Sequence, residues 1–272
     1  MDTTFDRETA VTRLDPGRYS ATMATSWWVV RGPNGGYLAA IILRALTDAV
    51  DDAERTPRSL TVHYTSAPTE GDVELHTVVE RTGRSLTTCT CRMEQGGKLV
   101  ALAVAAFSKP RDGPEFCDVV MPQVPGPEFY VPMRRPPPEA PPIATRYDTR
   151  WAIGHPPVPG VPSGARAVAG GWIRLPEARV VDPILAAAIT DGWLPPTFSR
   201  IQQAVVVPTV DLTIHFRAAL PHPGLAPDAF VLAVFRTNVA ADGFLEEDGE
   251  IWAPDGTLLA QSRQLATILP LV

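Results

Sequence analysis

The sequence predicts an α+β protein made of two similar halves, each a curved antiparallel sheet wrapped around a long apolar helix. Three observations lead there. A proline-dense stretch divides the chain into two segments of ordinary domain size. Each segment shows an apolar helix pattern followed by four strand-like runs. The closing hairpins of the two segments correspond locally.

The dividing stretch comes first. Between Pro110 and Pro162 lie 15 of the 29 prolines, including Pro136-Pro137-Pro138, Pro141-Pro142 and Pro156-Pro157. So dense a run cannot continue a helix or a central strand, because proline lacks the N–H that either would use. It is expected to be an extended connector over residues 110–165, crossing the surface with Tyr130 and Trp151 as anchors. The expected domains are therefore 1–109 and 166–272.

In the first segment Asn34-Gly35-Gly36 opens a run, Tyr37 to Leu46, that is apolar almost all round, as a buried helix is. Alternation follows at Leu60, Val62 and Tyr64, then at Val73, Leu75, Thr77 and Val79. Turns near Gly83 and at Gly96-Gly97 bound β-rich stretches at Leu86 to Met93 and Leu99 to Phe107. Cys89 and Cys91 then share one face of a strand and read as small apolar packing residues, not as a metal pair.

The second segment repeats the order: a small-residue helix candidate from Pro183 to Asp191, then strands at Val205 to Phe216, Phe230 to Val239, Phe244 to Trp252 and Leu258 to Ile268. Gly97-Lys98-Leu99-Val100-Ala101 is matched by Gly256-Thr257-Leu258-Leu259-Ala260. A period of about 100 residues is too long for a solenoid unit and suits two copies of one domain. A curved sheet that covers its apolar face with one long helix is the hotdog fold, so the expectation is a tandem double hotdog with a groove between the halves. Two unrelated α+β domains are the alternative.

Composition narrows the function. A chain of 272 residues with 45% hydrophobic and 20% charged residues and mean hydropathy near zero describes a globular protein that needs no disulfide or metal staple. No apolar run reaches the length of a membrane-spanning helix. The N-terminus lacks the basic-then-apolar order of a signal peptide, and the expected location is the cytoplasm. A net charge of −6 argues against a nucleic-acid surface.

The chain also resembles the acyl-CoA thioesterase II family of double-hotdog enzymes. The resemblance rests on Asn34-Gly35-Gly36, Leu60-Thr-Val-His-Tyr64 and Glu80-Arg-Thr-Gly-Arg-Ser85 in the first half. In the second it rests on Gly171-Trp172-Ile173-Arg174, Asp191, Pro208-Thr209-Val210-Asp211, His215-Phe216-Arg217 and Gln264. It implies hydrolysis of fatty acyl-CoA by an Asp, a hydroxyl residue and a Gln that hold the attacking water, which carry over to Asp191, Thr209 and Gln264. The family's strand has His after the second aspartate, where Leu212 stands here. The resemblance implies acyl-CoA as the partner and no metal or organic cofactor.

The chemistry suits these residues. A thioester carbonyl is electrophilic and thiolate leaves readily, so a positioned water and a place for negative charge suffice. A carboxylate raised toward neutrality by burial can take the water's proton. For the oxyanion, Gly36 at the helix start offers a backbone N–H, though the Gly pair also suits tight packing of the helix on the sheet. Arg81 and Arg84 around the Gly83 turn form the candidate fork for the CoA phosphates, with Arg31 and Arg217 behind them. Trp27, Trp28 and Tyr37 could line the acyl chain or simply fill the core. No G-x-S-x-G elbow occurs, and no histidine lies in either helix candidate, which counts against a hotdog hydratase or dehydratase. The rival from another class is a silent acyl-CoA binding or scaffold protein. Further assembly into a homo-oligomer is left open.

Overall fold

A computed structural model describes residues 3–132, 140–156, 164–201 and 203–271. Its first half runs α1 (Thr4–Glu8), β1 (Thr12–Asp15), β2 (Arg18–Met23), α2 (Gly35–Val50), β3 (Thr56–Tyr64), β4 (Gly71–Thr82), β5 (Leu86–Gln95) and β6 (Lys98–Ser108). The second runs β7 (Asp148–Ile153), β8 (Ala167–Arg174), α3 (Pro183–Ile189), β9 (Thr209–Phe216), β10 (Val231–Thr237), β11 (Phe244–Trp252) and β12 (Leu258–Thr267). These strands join one antiparallel sheet in the order β1-β2-β4-β5-β6-β3-β9-β12-β11-β10-β8-β7, and the two-residue piece Ala240–Ala241 pairs with β11. Outward from the β3/β9 seam both halves follow one order. The first strand after the helix is central, then come the fourth, third and second, and the two strands preceding the helix lie outermost.

Residues of the two halves correspond at the seam. Leu60-Thr61-Val62-His63-Tyr64 on β3 has its counterpart in Leu212-Thr213-Ile214-His215-Phe216 on β9, and Thr61 pairs with Thr213 in the antiparallel register. The two threonine hydroxyls lie 3.0 Å apart, so equivalent residues meet at a local two-fold. Pairing β3 with β9 also hides two strand edges that would otherwise be open to another chain.

Helix α2 forms because Asn34 caps it, accepting a hydrogen bond from the Tyr37 amide at 3.1 Å. It is buried over Gly36 to Leu43 and at Ala45 and Leu46, as its nearly unbroken apolar run requires. Each Leu or Ile so placed contributes roughly 1.5–3 kcal/mol. Strand alternation supplies the facing surface, with Thr87, Cys89, Cys91 and Met93 of β5 turned inward. Burial pushes the Cys89 thiol up to about 12, so the pair is packing material and not thiolate.

Three expectations are corrected. Each half places two strands of this sheet ahead of its helix, which the reading of one helix and four strands omitted. Helix α3 has only 7 residues, not the length of a second long helix. Its last turn closes early: the Thr190 hydroxyl donates to Ala187 O at 2.7 Å, and the amides of Asp191 and Gly192 turn back three residues to Ala188 O and Ile189 O. The stretch expected to be all connector contains β7, which pairs with β8 at the sheet edge.

Met121, Val124 and Tyr130 of the connector pack on Trp172, Leu232, Val234, Trp252 and Leu258, and the Trp172 indole donates to Pro125 O at 2.8 Å. Trp151 packs on Trp193 with ring centroids 5.3 Å apart. Pro136-Pro137-Pro138, Pro157 and Pro162 lie outside the described residues. Among the described residues no helix is long and apolar enough to cross a membrane.

Asp6 of α1 ties the two helices together. Its Oδ1 accepts from Arg44 of α2 at 2.7 Å and from Arg179 at 2.9 Å, and Arg179 also grips Asp182, the N-cap of α3, through two bonds of 2.9 Å. Burial raises the Asp6 carboxyl, but hydrogen bonds from Thr3, Arg44 and Arg179 outweigh it and hold the group at about 2. The folded state then binds fewer protons than the unfolded one between about pH 4 and pH 2, so this contribution is full above pH 4 and lost as pH falls through about 2. Asp6→Asn should lower stability at pH 7 by about 2 kcal/mol and flatten the acid limb, measured by urea unfolding across pH.

Candidate active site

Where α2 begins and α3 ends, the backbones come close enough to exclude side chains. A Cβ on Gly36 would stand 2.5 Å from Ala188 O, and one on Gly35 would stand 3.0 Å from the Asp191 carboxylate. Asp191 follows α3 and turns its carboxylate onto the start of α2. Its Oδ2 accepts from Asn34 Nδ2 at 2.8 Å and from the Gly36 amide at 3.1 Å, and its carbonyl accepts from the same Asn34 nitrogen at 2.7 Å. Asn34 thus caps α2 with its oxygen and holds Asp191 with its nitrogen. The helix N-terminus favours the negative charge as well.

Strands β9 and β12 bring up the other groups. The register of β9 shifts between Thr209 and Asp211, a bulge that re-aims side chains at the strand entrance. The Thr209 hydroxyl donates to Gln264 Oε1 at 2.8 Å, and Gln264 Nε2 donates to Glu247 Oε1 of β11 at 2.8 Å. The Gln264 side chain also lies close enough to the Asp191 carboxylate to favour its charged form. The Tyr64 hydroxyl closes the front by donating to Gly35 O at 2.7 Å.

Burial dominates the electrostatics. It pushes the Asp191 carboxyl up to about 6, although the amides of Gly36 and Gly35 and the side chains of Gln264 and Asn34 pull the other way. Glu247 is pushed up to about 8, first by burial and then by the charge on Asp191. Near neutrality the pair therefore carries one negative charge, on Asp191, and titrates as a unit. Burial and Asp191 also raise the hydroxyls of Tyr64 and Tyr147, which stay protonated. An ionised carboxylate with a threonine and an amide beside it can orient a water and accept its proton.

Asp191, Thr209 and Gln264 meet here. The Gly36 amide, the expected oxyanion donor, donates to the Asp191 carboxylate here. Arg81 and Arg84 stand elsewhere: Arg55, just before β3, donates to Gly83 O and Arg84 O, whereas Tyr64, at the far end of β3, touches Gly35. About 25 Å of strand separates the two ends. Local sequence gives a turn's residues but not the end of the sheet it occupies. Trp27 and Tyr37 are stacked core rings, 5.5 Å between centroids. Arg31 is exposed, near Asn34.

Glu247 was not foreseen. It lies among Glu246, Asp248 and Glu250, which suggests a solvated acidic strand, yet its period-two phase with buried Leu245, Gly249 and Ile251 places it inside. The other half offers no second copy. Gln264 pairs with Leu212 and Glu247, and the corresponding triplet around Leu60 is Ala105 and Cys89. As far beyond Asn34 as Asp191 lies beyond Asp182 stands Leu43, fully buried. One station is polar and its mate is apolar.

Comparison with known proteins bears on the family and the fold. A family profile described as the acyl-CoA thioesterase C-terminal domain matches residues 127–268, and one described as the acyl-CoA thioesterase N-terminal domain matches residues 24–108. A protein of unknown function with a hot dog fold from Alicyclobacillus acidocaldarius superposes with a TM-score of 0.85 at 28% identity, covering 99% of each chain. The present chain has that fold. A putative thioesterase II from Thermobifida fusca gives 0.81 at 24% identity, covering 98% of this chain and 97% of its own. An uncharacterized Mycobacterium tuberculosis protein is 24% identical, covering 93% of this chain and 94% of its own.

Since folding raises the Asp191 carboxyl from 3.8 to about 6, the folded state binds more protons over that range. Its contribution falls as pH rises from about 4 to about 6 and stays unfavourable above. Asp191→Asn should therefore be more stable than the parent at pH 7.5 by about 1–3 kcal/mol and lose that advantage near pH 4, as read by thermal unfolding at both pH values.

Proposed function

Because this chain belongs to the acyl-CoA thioesterase family, we propose that it hydrolyses a fatty acyl-CoA thioester to free acid and CoA, with Asp191 activating the water. The observation that supports this reading most is the Asp191 carboxylate itself, half-buried at a helix start and raised to about 6, with Gln264 and Thr209 alongside. Such a group is ionised at pH 7 and basic enough to take a proton from water.

In the reaction we infer, the water hydrogen-bonds Asp191 and the free lone pairs of Thr209 Oγ1, which brings its oxygen to the thioester carbon. Asp191 takes one proton as the C–O bond forms. The tetrahedral oxyanion collapses, the C–S bond breaks, and the proton on Asp191 returns to the leaving thiolate or to solvent. Tyr147 replaces Gly36 as our oxyanion donor: its hydroxyl is buried, has no partner among the described residues and feels the charge of Asp191. Arg31, at the α2 start, suits the CoA phosphates better than Arg81 and Arg84.

The architecture we infer is a tandem double hotdog with units at 1–109 and 166–272, in which β7 of the intervening 110–165 is an edge strand of the second unit. The acyl-CoA would enter beside the polar station at the α2 start, and the apolar station would serve packing.

A panel of acyl-CoAs of graded chain length, scored for free thiol, tests the function. Release of CoA is expected, with kcat falling by ~10²–10⁴ in Asp191→Asn while KM changes little. No release at any chain length would leave a binding or scaffold role instead, and undiminished turnover by Asp191→Asn would displace Asp191 from the mechanism.

A further inference from the structure

Glu247 is a carboxyl held in the interior with no group of opposite charge bearing on it among the described residues. It is 4% exposed, its Oε1 accepts the one bond from Gln264, and its Oε2 has no hydrogen-bond partner among the described residues. Replacing Glu247 and Gln264 together by hydrophobic side chains of similar volume would cost little or even stabilise, whereas the polar pair has to be desolvated. A group kept at that cost acts on its neighbour, and the neighbour is Gln264, its direct cross-strand partner.

We propose that Glu247 is the positioning residue of this site: its Oε1 fixes the Gln264 side-chain amide with nitrogen toward the carboxylates and oxygen toward Thr209. The inference rests on the thioesterase reading and adds a residue to it. An amide can rotate by half a turn with little change of shape, so its two ends must be told apart by their partners. Here one side presents the Asp191 carboxylate and Oε1 of Glu247, whose proton then lies on Oε2, and the NH2 end is the one that suits both. The reverse orientation would set the amide oxygen against the Asp191 carboxylate. With its nitrogen turned to the two carboxyls, Gln264 offers the water a remaining lone pair on its oxygen, and Thr209, donating to that same oxygen, is left as an acceptor too.

The proton on Glu247 belongs to this arrangement. The charges bearing on it are Asp191, after α3, and Glu246 and Asp248 on its own strand, the last paired with Arg263 at 2.6 Å; Gln264 faces it from β12. Carboxylates crowd it, and burial with the Asp191 charge keeps it protonated up to about pH 8. Above that a second negative charge appears beside the one that must accept a proton and beside the forming oxyanion. Activity then falls on the alkaline side for a reason seated in Glu247.

Two variants separate positioning from bulk. Glu247→Leu removes the acceptor, and kcat should drop about 10–100-fold with KM within about threefold. Glu247→Gln keeps an oxygen for Gln264 and cannot ionise; it should regain most of that loss and lack the alkaline limb. Turnover by Glu247→Leu equal to the parent, or a loss in Glu247→Gln as large as in Glu247→Leu, would overturn the proposal. A readout independent of turnover is the Gln264 side-chain NH2 pair in a ¹⁵N–¹H spectrum, identified by its disappearance in Gln264→Met. It should be dispersed and slow to exchange in the parent and in Glu247→Gln, and collapse toward the free-amide position in Glu247→Leu. An unchanged pair in Glu247→Leu overturns the positioning role even if no acyl-CoA is hydrolysed, whereas the expected collapse with no hydrolysis refutes only the thioesterase reading.

Discussion

Two backbones can approach closely only where side chains are missing, and the arrangement of this protein turns on one such place. Gly35 and Gly36 let the start of α2 meet the end of α3, and the carboxylate of Asp191 fills the contact. The packing and electrostatic readings of the Gly pair are therefore one reading. The amides that a Cβ would crowd are those that hold the charge, and Asn34 serves as helix cap and as clamp in a single side chain. A carboxylate so placed is stabilised by donors yet starved of water, and the second effect prevails.

Around that contact the two halves share one strand order but not one set of side chains. The order of strands is the same on both sides of the β3/β9 seam, and Thr61 meets Thr213 at the local two-fold. At the proposed site the correspondence stops: Asp191, Gln264 and Glu247 have Leu43, Ala105 and Cys89 as counterparts. A polar cluster in the interior requires every member to be satisfied, whereas an apolar one requires only volume. Keeping the first once and the second once leaves one polar cluster together with a well-filled core. The Asp6 bridge to Arg44 and Arg179 then holds α2 and the N-cap of α3 in the relative position that the site needs.

The sequence made some of this legible and concealed the rest for physical reasons. Long apolar periodicity marked α2, strict alternation marked β5 and β6, and the glycine turns marked the equivalent hairpins. Strands β1 and β8 escaped because short polar or glycine-rich stretches such as Ala167 to Trp172 show no strong alternation. Asp191, Thr209 and Gln264 were found through family likeness, and the structure brings them together. Glu247 was hidden by acidic neighbours whose side chains face outward. The fork of Arg81 and Arg84 is real as a turn, but which end of the sheet a turn occupies depends on strand direction and pairing.

The claim at the centre is that one station, beside the α2 start, takes the reacting group. Its most direct test is a crystal structure with a non-hydrolysable thioether analogue of an acyl-CoA. The sulfur and the adjacent carbonyl-side carbon should lie against Asp191, Thr209 and Gln264, with the acyl chain running between the helices. A ligand seated instead at the other end of β3, among Arg84, Lys109 and Arg111, would contradict the account.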